Sequence, residues 1–219
     1  MDWKHYIKRG IEKSVKCRKD LKAFPYNWSC RKRLKNSEFT IICSNCIGGI
    51  LYHRYGMKFM SPTVNLFFEA KDFVIFCEYL REYVEGGYLV FIETDKNYPV
   101  AYLKYEGLPD VKIYFMHYLN EEEARSKWVE RCKRVNYNNL YIVGADVGLD
   151  RADVIRLTKV NSKGTVIFTA GEYDDLPNTF CLEKRRGMKD VGKYLDDEIP
   201  QKGIKYVETV FDFTDFFNR

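Results

Sequence analysis

No run of apolar residues in this sequence approaches the ~18 that cross a bilayer, so a spanning helix is excluded and a soluble protein is expected. The N-terminal segment lacks the apolar centre of a signal peptide. Seven scattered cysteines, odd in number, are therefore expected to be reduced thiols in a cytosolic protein rather than a disulfide framework. A second Cys-x-x-Cys pair is missing, which removes the usual zinc arrangement. No GxGxxG, P-loop or Asp-x-Asp triplet occurs, so neither a dinucleotide nor a metal–diphosphate site is written in a known motif. Internal repeats and low-complexity tracts are absent. Histidine occurs only three times.

What is present describes an ordinary globular chain. Its 219 residues suffice for one ample core, and 46% hydrophobic with 31% charged residues is neither disordered nor membrane-like. Seventeen tyrosines and 15 phenylalanines are expected chiefly in the core. Charge is uneven. Residues 1–35 carry 12 Lys or Arg against Asp2, Glu12 and Asp20, a balance of +9; the whole chain is +5, which leaves −4 for residues 36–219. Trp3, Tyr6, Ile7, Ile11 and Val15 recur at helical spacing, so a basic N-terminal helical leader over 1–35 precedes a single α/β domain over 36–219. Such a leader packs on the body or meets anionic lipid at the inner face of the membrane. Nucleic acid is disfavoured, because no recognition motif accompanies the charge.

The chain is organised around residues 39–56. An apolar β-branched run (39–43) reads as a buried strand, Ser44-Asn45-Cys46 as a turn, and the residues after Gly48-Gly49 as a short helix ending at Gly56. In an open α/β sheet that turn lies where ligands bind. Phe73, Phe76, Cys77, Leu80, Tyr83 and Val84 mark one face of a helix that ends at Gly86-Gly87. Strands are expected at 88–92, 98–103 and 111–116, the last ending at His117. Asn120 and Glu123 form the start signal of the next helix. Strands at 140–143, 164–169, 179–182 and 205–209 follow, with helices at 150–160, 189–195 and 213–217. The pattern predicts an α/β layered sandwich with a mixed, mostly parallel sheet and helices on both faces.

Several residues bear on chemistry. Cys43 and Cys46 have redox spacing, but Cys43 belongs inside the strand. Cys46 as a nucleophile with His117 as its base is a second possibility, since both lie at strand ends and a cysteine at a helix N-terminus is favoured as thiolate. Gly48 and Gly49 either let backbone N–H groups approach a phosphate or let the helix pack closely on the sheet. Lys127, Arg131 and Arg134 form one basic helix face, open to a diphosphate or balanced by Glu123 and Glu130. Asp146, Asp150 and Asp153 are read as helix-capping carboxylates in preference to a metal site. No metal site is expected, and no cofactor is assigned.

Cys43-Ser-Asn-Cys-Ile-Gly-Gly49, Ser61-Pro-Thr-Val-Asn65, Tyr98-Pro-Val100, Phe115-Met-His-Tyr118, Lys127-Trp128, Arg134-Val-Asn136 and the 211–218 segment stand in an order that resembles a bacterial family. Its members carry a domain of unknown function and are described as exopolysaccharide biosynthesis proteins. The resemblance covers residues 31–219. It departs at Ser44 and Ile47, where the family carries asparagine and tryptophan, and it lacks an Asp-x-Asp-like element near Asp146. It implies a cytoplasmic protein of surface-polysaccharide assembly, with sugar transfer from a nucleotide-sugar or lipid-linked sugar as the leading expectation. Phosphates would rest on the Asn45–Gly49 turn, Gly48 included, and on Arg131 and Arg134, with Ser44 also among the ligand-binding residues. Ser61, Thr63, Asn65, Lys127, Trp128 and Asn136 complete the expected ligand-binding set. His117 would take the acceptor's proton, histidine being the side-chain type suited to that near neutral pH. A non-enzymatic saccharide- or nucleotide-binding protein and a Cys46-dependent acyl or hydrolytic transfer remain as alternatives. The turn after the 39–43 strand, with Asn45, and the end of the 111–116 strand, with His117, are expected to open into one crevice, and Lys127, Arg131 and Arg134 to face it.

Overall fold

Alternate residues of the first strand enter different cores. The computed structural model describes residues 21–183, 195 and 197–219. In β1 (Thr40–Cys43), Ile42 packs into one apolar cluster while Ile41 and Cys43 join another. β6 (Leu140–Ala145) and β7 (Gly164–Thr169) divide the same way, Ile142 and Ile167 to one side and Val143, Val166 and Phe168 to the other. Side chains alternate across a strand, so a strand that is apolar at every position must be covered on both faces. Here it is covered. The parallel sheet β1-β6-β7-β8, closed by β8 (Thr179–Cys181), lies between two helical layers.

One layer holds α3 (Ala70–Glu78), α4 (Leu80–Gly86), α5 (Glu121–Cys132) and α6 (Arg151–Thr158). The other holds α1 (helical over 21–33), α2 (Ile47–Tyr55), α7 (Val207–Val210) and α8 (Phe213–Asn218). Phe39, Tyr52, Tyr141 and Phe217 are wholly buried in that second layer. Each such side chain contributes about 1.5–3 kcal/mol by leaving water. The α/β layered architecture read from the sequence is the one observed.

Four antiparallel strands form a second sheet. β2 (Phe67–Phe68), β5 (Val111–Tyr114), β4 (Val100–Lys104) and β3 (Tyr88–Ile92) are ordered β2-β5-β4-β3. The backbone N–H of Phe68 donates to the Ser44 carbonyl at 3.1 Å, so β2 ties this sheet to the end of β1. The mixed, mostly parallel sheet expected is divided, among the described residues, into this antiparallel sheet and the parallel one, joined at one short strand.

Three other expectations change. The helix expected to end at Gly86-Gly87 is broken at Tyr79, where ψ is 36°. The apolar face survives the break, and the Tyr83 hydroxyl reaches the Pro109 carbonyl. The strand expected over 205–209 shrinks to β10 (Ile204–Lys205), paired with β9 (Glu198–Ile199). The Glu208 carboxylate accepts the Lys205 N–H at 2.7 Å and also receives Arg54, which turns the chain into α7. The helices expected over 3–15 and 189–195 lie outside the described residues, Leu195 apart.

Candidate functional site

The turn after β1 is built by its own side chains. Asn45 Oδ1 accepts from the Ile47 N–H at 3.0 Å, and the Cys43 thiol donates to the Asn45 carbonyl at 3.1 Å. Cys46 then stands at the N-cap of α2 with helical backbone angles, and its side chain makes no capping bond. Its Sγ lies 3.4 Å from Nε2 of His117. The tautomer sets which atom donates.

His117 sits in a tight turn after β5, closed by the Tyr118 N–H on the Phe115 carbonyl at 3.0 Å. The two-residue strand β2 brings the two turns together. Phe68 N–H binds Ser44, beside Cys46, while Phe67 and Phe68 pair with Tyr114 and Ile113, just before His117. Tyr118 anchors the second turn from behind, donating to the Val64 carbonyl at 3.0 Å. The pair is therefore held by backbone pairing on two sides.

Gly48 and Gly49 are buried within α2. A Cβ at Gly48 would lie 2.5 Å from the Cys43 sulfur, and one at Gly49 would lie 3.2 Å from Val64 Cγ1. Both glycines serve the close approach of helix to sheet and loop. Of the two readings of these glycines, close packing of the helix is the one these distances describe. Ser61 and Thr63 are wholly buried, with hydroxyls 3.0 Å apart, and Thr63 Oγ1 accepts the Cys43 N–H at 3.2 Å. Thr63 thus satisfies the edge of β1 behind the turn, and Ser61 holds Thr63 in place. Asn65 adopts the left-handed conformation (φ 66°) and places its side-chain oxygen beside Gly49. Ser44 contributes its carbonyl to β2.

Trp128 is a core residue beside Phe76. Asn136 lies at the opposite end of β1, where its N–H donates to Thr40 Oγ1 at 2.9 Å and its side chain to the Glu38 carbonyl. Neither belongs to the site. The carboxylates at 150 and 153 form a capping box, with Asp153 N–H on Asp150 Oδ1 at 3.0 Å, and Lys71 pairs with both. Backbone bonding from Asp153, then Lys71, holds the Asp150 carboxyl below its usual range. Asp146 differs, since burial pushes its carboxyl up and its Oδ1 is buried without a hydrogen-bond partner. Among the described residues no group of three or more His, Cys, Asp or Glu is gathered to hold a metal ion.

Lys127, Arg131 and Arg134 line a cleft of about 450 Å³ with His53, Met57, Lys58, Phe59 and Glu130. That cleft is at the tail of α2, and Asn45 is at its head. The expected common crevice is thus spread along one helix. His53 stands seven residues after Cys46, hence on the same helical face, about 10 Å along the axis. That spacing was available in the sequence; the contribution of Lys58 and Phe59, from the loop beyond, was not.

The cysteines divide by environment. Burial pushes the Cys43 thiol up to about 11 and Cys132 up to about 12, and drives Cys77 well above its ordinary value. A thiol held that far up is almost wholly protonated at pH 8, and the thiolate is the nucleophile. At pH 8 iodoacetamide is expected to alkylate Cys46 while Cys43, Cys77 and Cys132 stay unmodified in the folded chain, as read by peptide mass mapping. Equal labelling of Cys43 and Cys46 would contradict the assignment.

Residues 17–218 match the family described as a domain of unknown function, DUF1919. A Haemophilus influenzae protein described as uncharacterized is similar at 31% identity over 196 residues, covering 89% of this chain and 91% of that protein.

Proposed function

We propose that this chain, which belongs to the DUF1919 family, is a cysteine-dependent acyl transferase or hydrolase with Cys46 as nucleophile and His117 as its base. The observation that carries the reading is the 3.4 Å approach of Cys46 Sγ to His117 Nε2 at the head of a nine-residue helix. Helix N-termini favour negative charge, thiolate included. His117 takes the thiol proton and the sulfur attacks an acyl carbon. The carbon–leaving-group bond then breaks, and the imidazolium returns its proton to the departing oxygen or sulfur. Water or an acceptor hydroxyl attacks the thioester in a second step, with His117 again accepting the proton; the carbon–sulfur bond breaks, and the imidazolium returns that proton to the Cys46 sulfur.

The exopolysaccharide resemblance in residues 31–219 supports a saccharide as donor or acceptor. Peripheral contact with anionic lipid through residues 1–35 belongs to the same proposal. It is supported by the +9 balance there and by Leu21, Phe24 and Trp28, which stand exposed at i, i+3 and i+7 on α1. Among the described residues no helix is long and apolar enough to cross a membrane.

The test uses a generic acyl donor. p-Nitrophenyl acetate is expected to release one equivalent of p-nitrophenolate per chain in a burst, with a mass gain of one acetyl group on the peptide holding Cys46. Cys46→Ala removes both signals. A burst that survives Cys46→Ala, or an intact chain with no burst, overturns the proposal. Direct sugar transfer is the second reading, favoured by the exposure of His117 to an incoming hydroxyl. It predicts nucleotide-sugar turnover that Cys46→Ala leaves in place and His117→Ala removes.

A further inference from the structure

We infer that the cleft at the tail of α2 is a subsite for a diphosphate group, placed about 10 Å along the helix from Cys46. The inference rests on the Cys46 reading only for what the diphosphate is attached to, an acyl donor or acceptor.

Arg131 carries the argument. Its side chain is nearly fully buried, at 7% exposure. Its Nη1 donates to the Val64 carbonyl at 2.9 Å and to the Tyr118 hydroxyl at 2.5 Å, and its guanidinium lies over the rings of Phe59 and Tyr118. All of these partners are neutral. A buried cation whose hydrogen-bond partners are all neutral is costly, because no paired charge offsets its desolvation; Glu130 acts on it only through space. The geometry leaves that charge facing a cleft of about 450 Å³.

The other charges in the cleft point the same way. Glu130 is its one carboxylate, and it is engaged by Lys127 at 3.0 Å and by Arg134. Lys127, foremost, with the two arginines holds the Glu130 carboxyl below its usual range. Four cations (Lys58, Lys127, Arg131 and Arg134) face that single anion, a surplus of three positive charges. Arg134 is fixed by the Phe59 carbonyl at 2.9 Å, so its fork is oriented before any ligand arrives. A surplus of three suits a diphosphate better than a single carboxylate, and guanidinium groups pair with phosphate oxygens in the forked manner. The volume falls within the range of small-molecule sites.

Inorganic pyrophosphate is the probe, titrated calorimetrically against the intact chain, with succinate as the carboxylate control. Saturable pyrophosphate binding is expected, at least 10-fold tighter than succinate and weakening as salt rises. Lys127→Gln/Arg134→Gln is expected to lose 10-fold or more. Arg131→Gln supplies a second variant, read for fold by circular dichroism before titration. Absence of saturable binding, succinate binding as tight as pyrophosphate, or binding indifferent to Lys127→Gln/Arg134→Gln each overturns the subsite. The acyl burst on the same sample separates the two ideas. Pyrophosphate binding without a burst retains the subsite and removes the nucleophile, and a burst without pyrophosphate binding does the reverse.

Discussion

His117→Ala slows acylation of Cys46 by p-nitrophenyl acetate by about 10²–10⁴-fold, the range that a positioned general base contributes. The urea midpoint stays where it was. The two halves of this expectation come from the same geometry. His117 is exposed and its ring contacts the Cys46 sulfur at 3.4 Å, so removing the ring takes away the proton acceptor and little packing. The backbone that positions the turn is held by Tyr118 and by β5, which the substitution does not touch. Added imidazole is expected to restore part of the rate, because an exposed site leaves room for it. A burst rate unchanged by His117→Ala would show that Cys46 reacts unaided. A large fall in the urea midpoint would make His117 a structural residue instead.

Arg54→Met destabilises the fold by about 3–5 kcal/mol, the cost of stripping one partner from a buried ion pair. Arg54 binds Glu208 through Nε at 2.8 Å and Nη2 at 3.0 Å, and Nη2 also reaches the Gly203 carbonyl at 2.9 Å. The Glu208 side chain is wholly buried, so without Arg54 its charge loses its ion pair and keeps the hydrogen bond from the Lys205 N–H. The pair joins the tail of α2 to α7, while Arg31 binds the Arg54 and His53 carbonyls and closes the same end of the helix. Urea unfolding measures the loss. Arg54→Met/Glu208→Leu is expected to recover most of it, since an apolar pair of similar size avoids the desolvation cost. A loss below about 1 kcal/mol in the single variant would mean that water reaches Glu208.

Much of this architecture was legible before the fold was seen, for reasons that differ by element. The strand at 39–43 is apolar at consecutive positions, which only a doubly covered strand tolerates. Asn120 with Glu123 and Asp150 with Asp153 are start signals written within four residues, and both close as capping bonds. The break at Tyr79 carries no glycine or proline to announce it. The segment after Lys205 was misread because its β-branched residues fit a strand locally, while Glu208 is drawn inward by an arginine 154 positions away. Gly48 and Gly49 show the same limit. Their residue type admits either a phosphate-binding turn or close packing, and the neighbours that a Cβ would meet, Cys43 at 2.5 Å and Val64 at 3.2 Å, are set by tertiary structure.

By itself the sequence determined the α/β class, the alternation of strands and helices, and the local signals that begin α5 and α6. It also placed Cys46 and His117 at the ends of two strands. Those features depend on residues within a turn or two of one another, and side-chain periodicity records them directly. Tertiary structure alone decided that the two strand ends meet. It did so through β2, two residues long, whose pairing with Ser44 on one side and β5 on the other joins positions 71 residues apart. It also decided that Arg131 is buried among neutral partners, because burial depends on what the rest of the chain lays over a residue.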